Sequence, residues 1–261
     1  MTTYFISDIH LHAGSSANSK LLLNFLETKG PTADAIYILG DLFAVWFGDD
    51  LAATYIDELK HALSKLATLN IPLYIMHGNR DFLLGDKFCQ AAGCKLLADP
   101  CVINLYNNKI LLTHGDLLCT QDSKYQKFRK FVQNPIIKFL FLSLPKWLRL
   151  KIGAWVQSKS VRNNNYSAKI NPAILDVTPS EVITWLEKYQ VNFMIHGHTH
   201  KPAIHTLNNT TRVVLGDWTN SSAKILAISA QDFKLVDLIA TTPDQAQNVP
   251  HNAMPSSLSE L

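Results

Sequence analysis

The chain has 261 residues, of which 47% are hydrophobic and 17% are charged, and this composition excludes a disordered or fibrous protein. The formal net charge is only +3, so the average charge does not select a class of partner. There are four cysteines and no C-x-x-C pair, so we expect reduced thiols rather than a disulfide framework. The N-terminus lacks a signal-peptide pattern, and no apolar run reaches the roughly 18 residues of a membrane span. We therefore expect a cytoplasmic protein.

The first half of the chain alternates short apolar runs with helical patterns. The apolar runs predict strands at Tyr4–Ser7, Ala35–Leu39 and Pro72–Met76. Helical periodicity predicts helices at Ser19–Thr28 and Ala53–Leu69, between those strands. This β-α-β-α-β order indicates an α/β fold, and each strand ends in polar residues. Because open α/β sheets bind ligands at the carboxyl ends of their strands, we expect the functional site there.

The second half predicts a hairpin, one helix and a series of short strands. The hairpin joins Val102–Leu105 to Lys109–Leu112, and a helix is predicted at Pro179–Tyr189. The remaining predicted strands are Asn192–Ile195, Ala203–Thr206, Arg212–Leu215, Lys224–Ile228 and Lys234–Leu238. We assign residues 1–240 to one domain and expect a disordered tail at 241–261, which is polar and has no periodicity.

Residues 123–175 differ in charge from the rest of the chain. They contain no Asp or Glu but eleven Lys and Arg, interleaved with aliphatic and aromatic residues. Pro135 and Pro145 should divide them into short helices, which predicts a helical cap inserted into the α/β domain. Such a basic, apolar surface is typical of helices that lie on a membrane, and it could also line a groove for acyl chains. The alternatives are a solvated basic face over an ordinary helical core and a nucleic-acid surface, which would need more aromatic residues for stacking.

Five polar clusters follow strand-like runs and contain residue types that bind metal ions. They are Asp8-x-His10, Gly40-Asp41, Gly78-Asn79-Arg80-Asp81, His114-Gly115-Asp116 and Gly197-His198-x-His200. Carboxylate and amide oxygens suit hard divalent cations, and imidazole suits Mn, Fe, Zn and Ni. Residues i and i+2 of a strand point the same way, so Asp8 and His10 could converge on one ion. Asp41 follows the strand expected at the centre of the sheet, so it is our candidate to bridge two ions about 3.5–4 Å apart.

The clusters resemble the calcineurin-like metallophosphoesterase family, whose pattern is D-x-H, G-D, G-N-H-[DE], H and G-H-x-H. The resemblance runs from residue 4 to about residue 240. It implies a metallophosphoesterase βαβαβ sandwich with two metal sites that share one carboxylate. The first site would consist of Asp8, His10, Asp41 and His200, and the second of Asp41, Asn79, His114 and His198.

One residue departs from the family pattern, because Arg80 stands where the wider family usually has His. A guanidinium cannot serve as a general acid, but its fixed charge and planar donors suit a phosphoryl group in transfer. The variant lies in His77–Gly85, which together with Tyr37–Phe43 and Ile195–Ala203 resembles one subfamily. The resemblance implies a manganese-dependent enzyme of lipid A biosynthesis that associates peripherally with the inner membrane of Gram-negative bacteria.

The resemblance to this subfamily also implies a reaction and a set of substrate contacts. A UDP-linked 2,3-diacylglucosamine would be cleaved at its pyrophosphate by attack on the α-phosphorus, giving UMP and 2,3-diacylglucosamine 1-phosphate (lipid X), with two Mn²⁺ ions per subunit. Asp41 and Arg80 would be catalytic, and the partners would be this lipid and the inner-membrane surface, with no nucleic acid. The implied substrate contacts are Asn79, Arg80, Asp122, Ser160, Asn164, Lys169 and His198. Ser158 is an alternative to Ser160, and Asn163 and Asn165 are alternatives to Asn164.

Other functions remain open. The chain could be another dinuclear metallophosphoesterase that acts on nucleotides, nucleic acid or phosphoprotein, since many substrates share these ligand motifs. It could be a non-catalytic scaffold of the same fold, although such proteins usually lose ligands and every ligand type is present here. It could also be a membrane adaptor that uses residues 123–175 alone. Asp81 and Asp116 would either support the metal ligands through hydrogen bonds or simply cap loops.

Overall fold

The computed structural model contains two β-sheets with helices packed against them. It describes residues 2–13, 16–51, 56–170, 176–207, 209–219 and 222–239, and for 16 and 160–170 it describes the backbone alone. The tail expected at 241–261 lies outside the described residues.

Strands and helices alternate along the described part of the chain. The strands are β1 (Thr2–Ile6), β2 (Ala33–Leu39), β3 (Leu73–Met76), β4 (Lys95–Leu97), β5 (Cys101–Leu105), β6 (Asn108–Thr113), β7 (Phe193–His196), β8 (Ala203–Leu207), β9 (Thr210–Val214), β10 (Ser222–Ile228) and β11 (Phe233–Ile239). The helices are α1 (Ser16–Thr28), α2 (Asp57–Thr68), α3 (Asp86–Ala92), α4 (Ser123–Val132), α5 (Pro135–Leu142), α6 (Lys146–Ile170) and α7 (Pro179–Tyr189). Among the helices of the described residues, none has the length and apolar character needed to cross a membrane.

The two sheets pack face to face. One has the order β11-β10-β1-β2-β3-β4, and its strands β1 to β4 are parallel. The other has the order β5-β6-β7-β9-β8, and its strands β6, β7 and β9 are parallel. Because successive residues of a strand point to opposite faces, Phe5 joins the core between the sheets, whereas Ile6 joins the core beneath the helices. Strand β2 lies between β1 and β3, which puts Asp41 at the end of a central strand.

Helices cover the outer face of each sheet. Helices α1, α2 and α3 pack on the first sheet through the buried side chains of Phe25, Leu63 and Phe88. Helix α7 packs on the second sheet, where Trp185 joins the same cluster as Met194 of β7. Full burial of one such side chain stabilises the fold by roughly 1.5–3 kcal/mol. The layers form the predicted α/β sandwich, and its opening β-α-β-α-β order is confirmed.

The described residues between β6 and α7 form three α-helices. Helices α4 and α5 have 10 and 8 residues, and α5 begins at Pro135, where a missing N–H does no harm. Helix α6 has 25 residues, so the prediction of short helices was wrong for this one. Proline breaks a helix when it lies in the helix interior. Residues 146–170 contain no proline, so nothing of this kind interrupts α6.

Helix α3 and strand β4 were not predicted from the sequence. Helix α3 has only 7 residues and ends at Gly93, whose φ of 67° provides a left-handed C-cap. Strand β4 has 3 residues and pairs with the edge of β3. Both elements are too short for hydrophobic periodicity to reveal them.

Candidate metal centre

The carboxyl ends of the central strands bring the predicted metal ligands together. These residues are Asp8 and His10 after β1, Asp41 after β2, Asn79 after β3, His114 after β6, and His198 and His200 after β7. Parallel strands end at the same edge of a sheet, and here two facing sheets deliver their strand ends to one place. The cluster therefore draws ligands from five separate loops.

Most of these ligands have a backbone conformation that residues other than glycine rarely adopt. The φ angles lie between 53° and 69° at Asp8, His10, Asp41, His198 and His200. From the sequence we expected Asp8 and His10 to point the same way, as residues i and i+2 of a strand do. However, β1 ends at Ile6, and left-handed backbone conformations direct the two side chains instead. Their amides donate to Gly40 O at 3.1 Å and to Asp41 O at 3.0 Å, which holds the turns. Such a conformation costs about 1–3 kcal/mol per residue and is concentrated at functional sites.

The first predicted site joins Asp8, His10 and His200, whose candidate ligand atoms all lie within 4.8 Å of one another. Nε2 of His200 is 3.4 Å from Oδ1 of Asp8 and 3.3 Å from Nε2 of His10. Nδ1 of His10 lies 3.9 Å from Oδ2 of Asp41, the fourth predicted ligand. Oδ1 of Asp8 is buried and accepts no hydrogen bond from the described residues. A buried carboxylate oxygen of this kind fits a cation as its partner.

The second predicted site is built around the amide oxygen of Asn79. This oxygen lies 3.0 Å from Nε2 of His114 and 2.9 Å from Nδ1 of His198. Nδ1 of His114 lies 2.9 Å from the carbonyl of Leu39, and an N–H donated there leaves a lone pair on Nε2. When His114 is neutral, this lone pair lies against the oxygen of Asn79. Both groups can then bind the same divalent cation, so the donor set fits a metal ion.

Asp41 is buried and contacts both sites. Its Oδ2 faces His10, and its Oδ1 lies 3.8 Å from Nε2 of His114. Burial raises the pKa of Asp41 to about 7, and the nearby carboxylates of Asp81 and Asp8 add to the rise against the opposing effect of His114. Such a concentration of buried carboxylates favours a cation as their common partner. The two oxygens of Asp41 therefore fit the bridging role predicted for it.

The imidazoles differ in the charge that their surroundings favour. Burial lowers the pKa of His10 to about 4 and that of His198 to about 3, so both rings are neutral near pH 7 and can ligate a metal. Burial also opposes the protonation of His114, but Asp41 and Asp8 outweigh it and raise its pKa to about 9. The proton on His114 provides positive charge beside Asp41 and Asp8. A bound metal ion would provide that charge instead, so His114 also fits as a neutral ligand.

The carboxylate of Asp81 organises the loops that carry the ligands. Its Oδ1 accepts the backbone N–H of Gly78 at 2.8 Å and that of Asp41 at 3.3 Å. Its Oδ2 accepts the N–H of Phe43 at 3.3 Å. Asp81 therefore joins the loops after β2 and β3. Of the two roles considered for it, these bonds favour loop support.

Two residues beside the ligands were missed in the sequence. Oδ2 of Asp217 lies 3.6 Å from Nδ1 of His200, in the position of a partner that orients a ligating imidazole. It belongs to a G-D pair shortly after β9, and the same signal that identified Gly40-Asp41 would have found it. The ring of Tyr125 stacks on His198, with centroids 6.3 Å apart and 23° between the planes. Nothing in the sequence separates Tyr125 from the other aromatic residues of α4.

A cavity of about 370 Å³ lies beside the second predicted site. Asn79 and Arg80 line it at the metal centre, and both were predicted substrate contacts. The other walls are mostly apolar and include Trp46, Phe82 and Phe128, from the loops after β2 and β3 and from α4. The cavity thus combines a polar end with apolar walls, which suits a ligand that carries both phosphate and hydrocarbon.

The structure describes the side chains of two further candidate substrate contacts, Asp122 and Ser158. Asp122 caps α4, where its Oδ1 accepts the N–H of Tyr125 at 2.9 Å. Ser158 is exposed, and its hydroxyl donates to the carbonyl of Trp155 at 2.8 Å. Five further candidates have side chains outside the described ones, namely Ser160, Asn163, Asn164, Asn165 and Lys169.

The sequence is similar to known proteins over most of its length. Residues 1–202 match the family model described as calcineurin-like phosphoesterase. A protein of Shewanella piezotolerans named UDP-2,3-diacylglucosamine hydrolase is 44% identical over 239 residues, which cover 91% of this chain and 98% of that protein. Proteins of the same name from Yersinia enterocolitica and Aeromonas hydrophila are 43% and 44% identical, over 90% and 87% of this chain and 98% and 94% of their own. The chain therefore belongs to the calcineurin-like phosphoesterase family.

Proposed function

We propose that the chain is a manganese-dependent hydrolase that cleaves the pyrophosphate of UDP-2,3-diacylglucosamine by attack on the α-phosphorus. The products would be UMP and 2,3-diacylglucosamine 1-phosphate, and the reaction would belong to lipid A biosynthesis. The relatives named UDP-2,3-diacylglucosamine hydrolase support this substrate, because they are 43–44% identical over nearly the whole chain.

The observation that carries the proposal is the cavity beside the metal ligands. The substrate joins a nucleoside diphosphate to a sugar with two acyl chains. The polar end of the cavity, at Asn79 and Arg80, suits the pyrophosphate, and walls such as Phe128 and Phe141 suit the hydrocarbon. An enzyme for free nucleotides or phosphoproteins would gain little from walls of this kind.

We assign the metal centre two Mn²⁺ ions that share one carboxylate. One would be held by Asp8, His10, Asp41 and His200, and the other by Asp41, Asn79, His114 and His198. Mixed carboxylate, amide and imidazole donors suit Mn²⁺. When bound, the ions would act as Lewis acids on the phosphate and lower the pKa of water.

We assign to Arg80 the role of stabilising the negative charge that develops on the phosphoryl oxygens. Its backbone N–H donates to Oδ1 of Asp41 at 2.8 Å, so its side chain extends from the edge of the metal centre and lines the cavity. A guanidinium keeps its charge and cannot donate a proton. The leaving group does not need one, because a phosphate monoester has a second pKa near 6 and departs as an anion. A general acid is therefore not required at this position, which is consistent with Arg80 where the wider family usually has His.

Residues 123–175 are assigned to a cap that binds the acyl chains and lies on the inner membrane. Ile136 and Phe139 of α5 are 68% and 71% exposed, and Trp147 of α6 is also exposed. Residues 123–175 contain no acidic side chain, and six of their lysines are exposed, namely Lys124, Lys127, Lys130, Lys146, Lys151 and Lys159. Exposed apolar side chains among Lys and Arg bind anionic lipid surfaces. A protein docked in this way from the cytoplasm would reach a substrate that resides in the membrane.

The substrate contacts implied by the resemblance are part of the proposal. They are Asn79, Arg80, Asp122, Ser160, Asn164, Lys169 and His198. Alanine at Ser160 or at its alternative Ser158 would decide between the two, since only the true contact should raise KM for the lipid substrate.

The test is incubation of the protein with UDP-2,3-diacylglucosamine and Mn²⁺, followed by measurement of UMP and lipid X. In water labelled with ¹⁸O, attack on the α-phosphorus places the label in UMP, and attack on the other phosphorus places it in lipid X. Asp41→Ala is the inactive control. Loss of a residue that hydrogen-bonds to a metal ligand lowers activity by roughly 10–100-fold, and loss of a ligand itself should lower it further. Release of phosphate from nucleotides or phosphopeptides, without UMP from the lipid substrate, would instead support another phosphoesterase.

A further inference from the structure

Helix α4 is joined to the metal centre by a buried ionic network. Nε of Arg129 donates to Oδ2 of Asp116 at 2.6 Å, and its Nη2 donates to Oδ2 of Asp99 at 3.1 Å. The side chains of Arg129, Asp99 and Asp116 are 13%, 6% and 0% exposed. One guanidinium therefore pairs with two carboxylates that water hardly reaches, and its fork fixes the distance between them.

One arm of this network reaches the backbone of a metal ligand. Oδ1 of Asp99 accepts the backbone N–H of His114 at 3.2 Å and the hydroxyl of Thr113 at 2.7 Å. Thr113 is the last residue of β6, so these bonds hold the chain where it leaves the sheet. The other oxygen of Asp99 is the one that Arg129 holds. The position of His114 thus depends on a carboxylate that is itself positioned from α4.

The other arm of the network runs through Asp116. It contacts the loop of His114 on the C-terminal side of that ligand, and it also reaches a second ligand, His198. Asp116 lies two residues after His114, and its Oδ2 also accepts the hydroxyl of Tyr125 at 2.5 Å. The ring of Tyr125 stacks on His198. Both ligands in contact with this network, His114 and His198, belong to the second predicted site.

We propose that Arg129 is a positioning residue for the second metal site, which it builds by holding Asp99 and Asp116 against the loop that carries His114. This role rests on the proposed metal centre. It makes α4 a structural part of that centre, in addition to a wall of the cavity. Loss of the guanidinium would leave the buried carboxylates of Asp99 and Asp116 without their cation. Each would then shift toward water or toward its remaining hydrogen-bond donors. The loop of His114 would move with them, whereas the first site has no direct contact with Arg129 or its two carboxylates among the described residues.

The test compares Mn²⁺ binding by metal-free wild type, Arg129→Met and Arg129→Lys, from the EPR signal of unbound Mn²⁺ during titration. Lys130→Met is the matched control, because Lys130 is the exposed neighbour on the same helix and its loss changes the charge equally. We expect Arg129→Met to weaken one of the two Mn²⁺ sites by roughly 10–100-fold and to leave the other unchanged, as for other outer partners of metal ligands. The Mn²⁺ affinity of the weakened site in Arg129→Lys should lie between those of wild type and Arg129→Met, because an ammonium keeps the charge but lacks the fork that spans both carboxylates. Lys130→Met should bind as wild type does.

The outcomes separate this proposal from the metal centre on which it rests. If wild type binds two Mn²⁺ and Arg129→Met binds both with the same affinity, the positioning role is overturned and the metal centre stands. If wild type itself takes up fewer than two Mn²⁺, the metal centre is overturned, and the positioning role with it. Equal loss of both sites in Arg129→Met, with a lowered unfolding midpoint, would show a general structural role and would also overturn the proposal. Because the unaffected first site serves as an internal measure of folding, the result does not depend on activity.

Discussion

The backbone N–H of Arg80 donates to Oδ1 of Asp41 at 2.8 Å, so the loop after β3 holds the carboxylate that follows β2. Asp81 in the same loop accepts the N–H of Asp41 at 3.3 Å. The side chain proposed to bridge the two metals is therefore positioned by backbone groups of a neighbouring loop as well as by its own strand. Close contact between the two loops is a requirement for the centre.

Gly78→Ala should disrupt the metal centre although it removes no ligand. A Cβ at Gly78 would lie 2.1 Å from Oδ1 of Asp41 and 2.3 Å from its backbone nitrogen, so Asp41 must move. We expect bound Mn²⁺ to fall below two ions per chain and the unfolding free energy to fall by about 1–3 kcal/mol, as for other overpacked sites. Metal analysis after dialysis and urea unfolding measure the two effects.

The matched control for this substitution is Gly216→Ala. A Cβ at Gly216 would meet Cβ of Lys224 at 3.0 Å, and a shift of a few tenths of an ångström relieves this contact, in contrast to the severe overlap at Gly78. Its Mn²⁺ content should stay at the wild-type value. Normal Mn²⁺ binding by Gly78→Ala would contradict the close packing of the loops after β2 and β3.

Arg80→Ala should slow turnover and leave the metal content unchanged. Its side chain is assigned to the charge that develops during phosphoryl transfer, and loss of such a donor typically costs about 10²–10³-fold in kcat. Arg80→Lys should recover part of the rate, because it restores the charge without the planar fork. The measurements are steady-state release of UMP and Mn²⁺ per chain. Loss of bound Mn²⁺ from Arg80→Ala would refute the assignment.

Arg149→Met should destabilise the helices that follow α4. Arg149 is 2% exposed and donates to the carbonyl oxygens of Phe47 at 2.7 Å and Leu144 at 3.1 Å, as well as to Asp50. A buried acceptor left without its donor costs roughly 1–3 kcal/mol. Two part-buried acceptors lose their donor here, so we expect a loss of about 2 kcal/mol. The ion pair adds little to this, because Asp50 is 42% exposed. Urea unfolding followed by tryptophan fluorescence measures the change, and the exposed Lys151→Met is the control, which should change stability little.

The double substitution Ile136→Ser and Phe139→Ser should weaken binding to anionic vesicles. Burial of each such side chain contributes about 1.5–3 kcal/mol, so partial insertion of both should be worth at least roughly tenfold in affinity. Leu207→Ser is the matched control, because Leu207 is 65% exposed but lies on β8. Vesicle sedimentation at low and high salt measures the effect. Unchanged vesicle binding by the double variant would exclude α5 from the membrane surface.

The opening α/β units were predictable because their apolar runs and helical periodicity are long enough to identify. Short elements were not, and α3 shows why, since 7 residues offer only two turns of pattern. The length of α6 was also missed. The two prolines marked where its neighbours end, but nothing in the sequence shows how far an uninterrupted helix continues.

The sequence by itself determined the family of this protein, because the residue types in five clusters and their order match the pattern of the metallophosphoesterases, and Arg80 in place of His predicts one subfamily. Only the tertiary structure decided how those residues are held. Asp217 beside His200 and Arg129 between two carboxylates lie outside the motif pattern. Asp81 belongs to a motif, but the motif does not show that its carboxylate accepts the N–H of Asp41 in the loop after β2. Their partners are distant in sequence, and it is the packing of two sheets and a helix that brings buried donors and acceptors to within bonding distance.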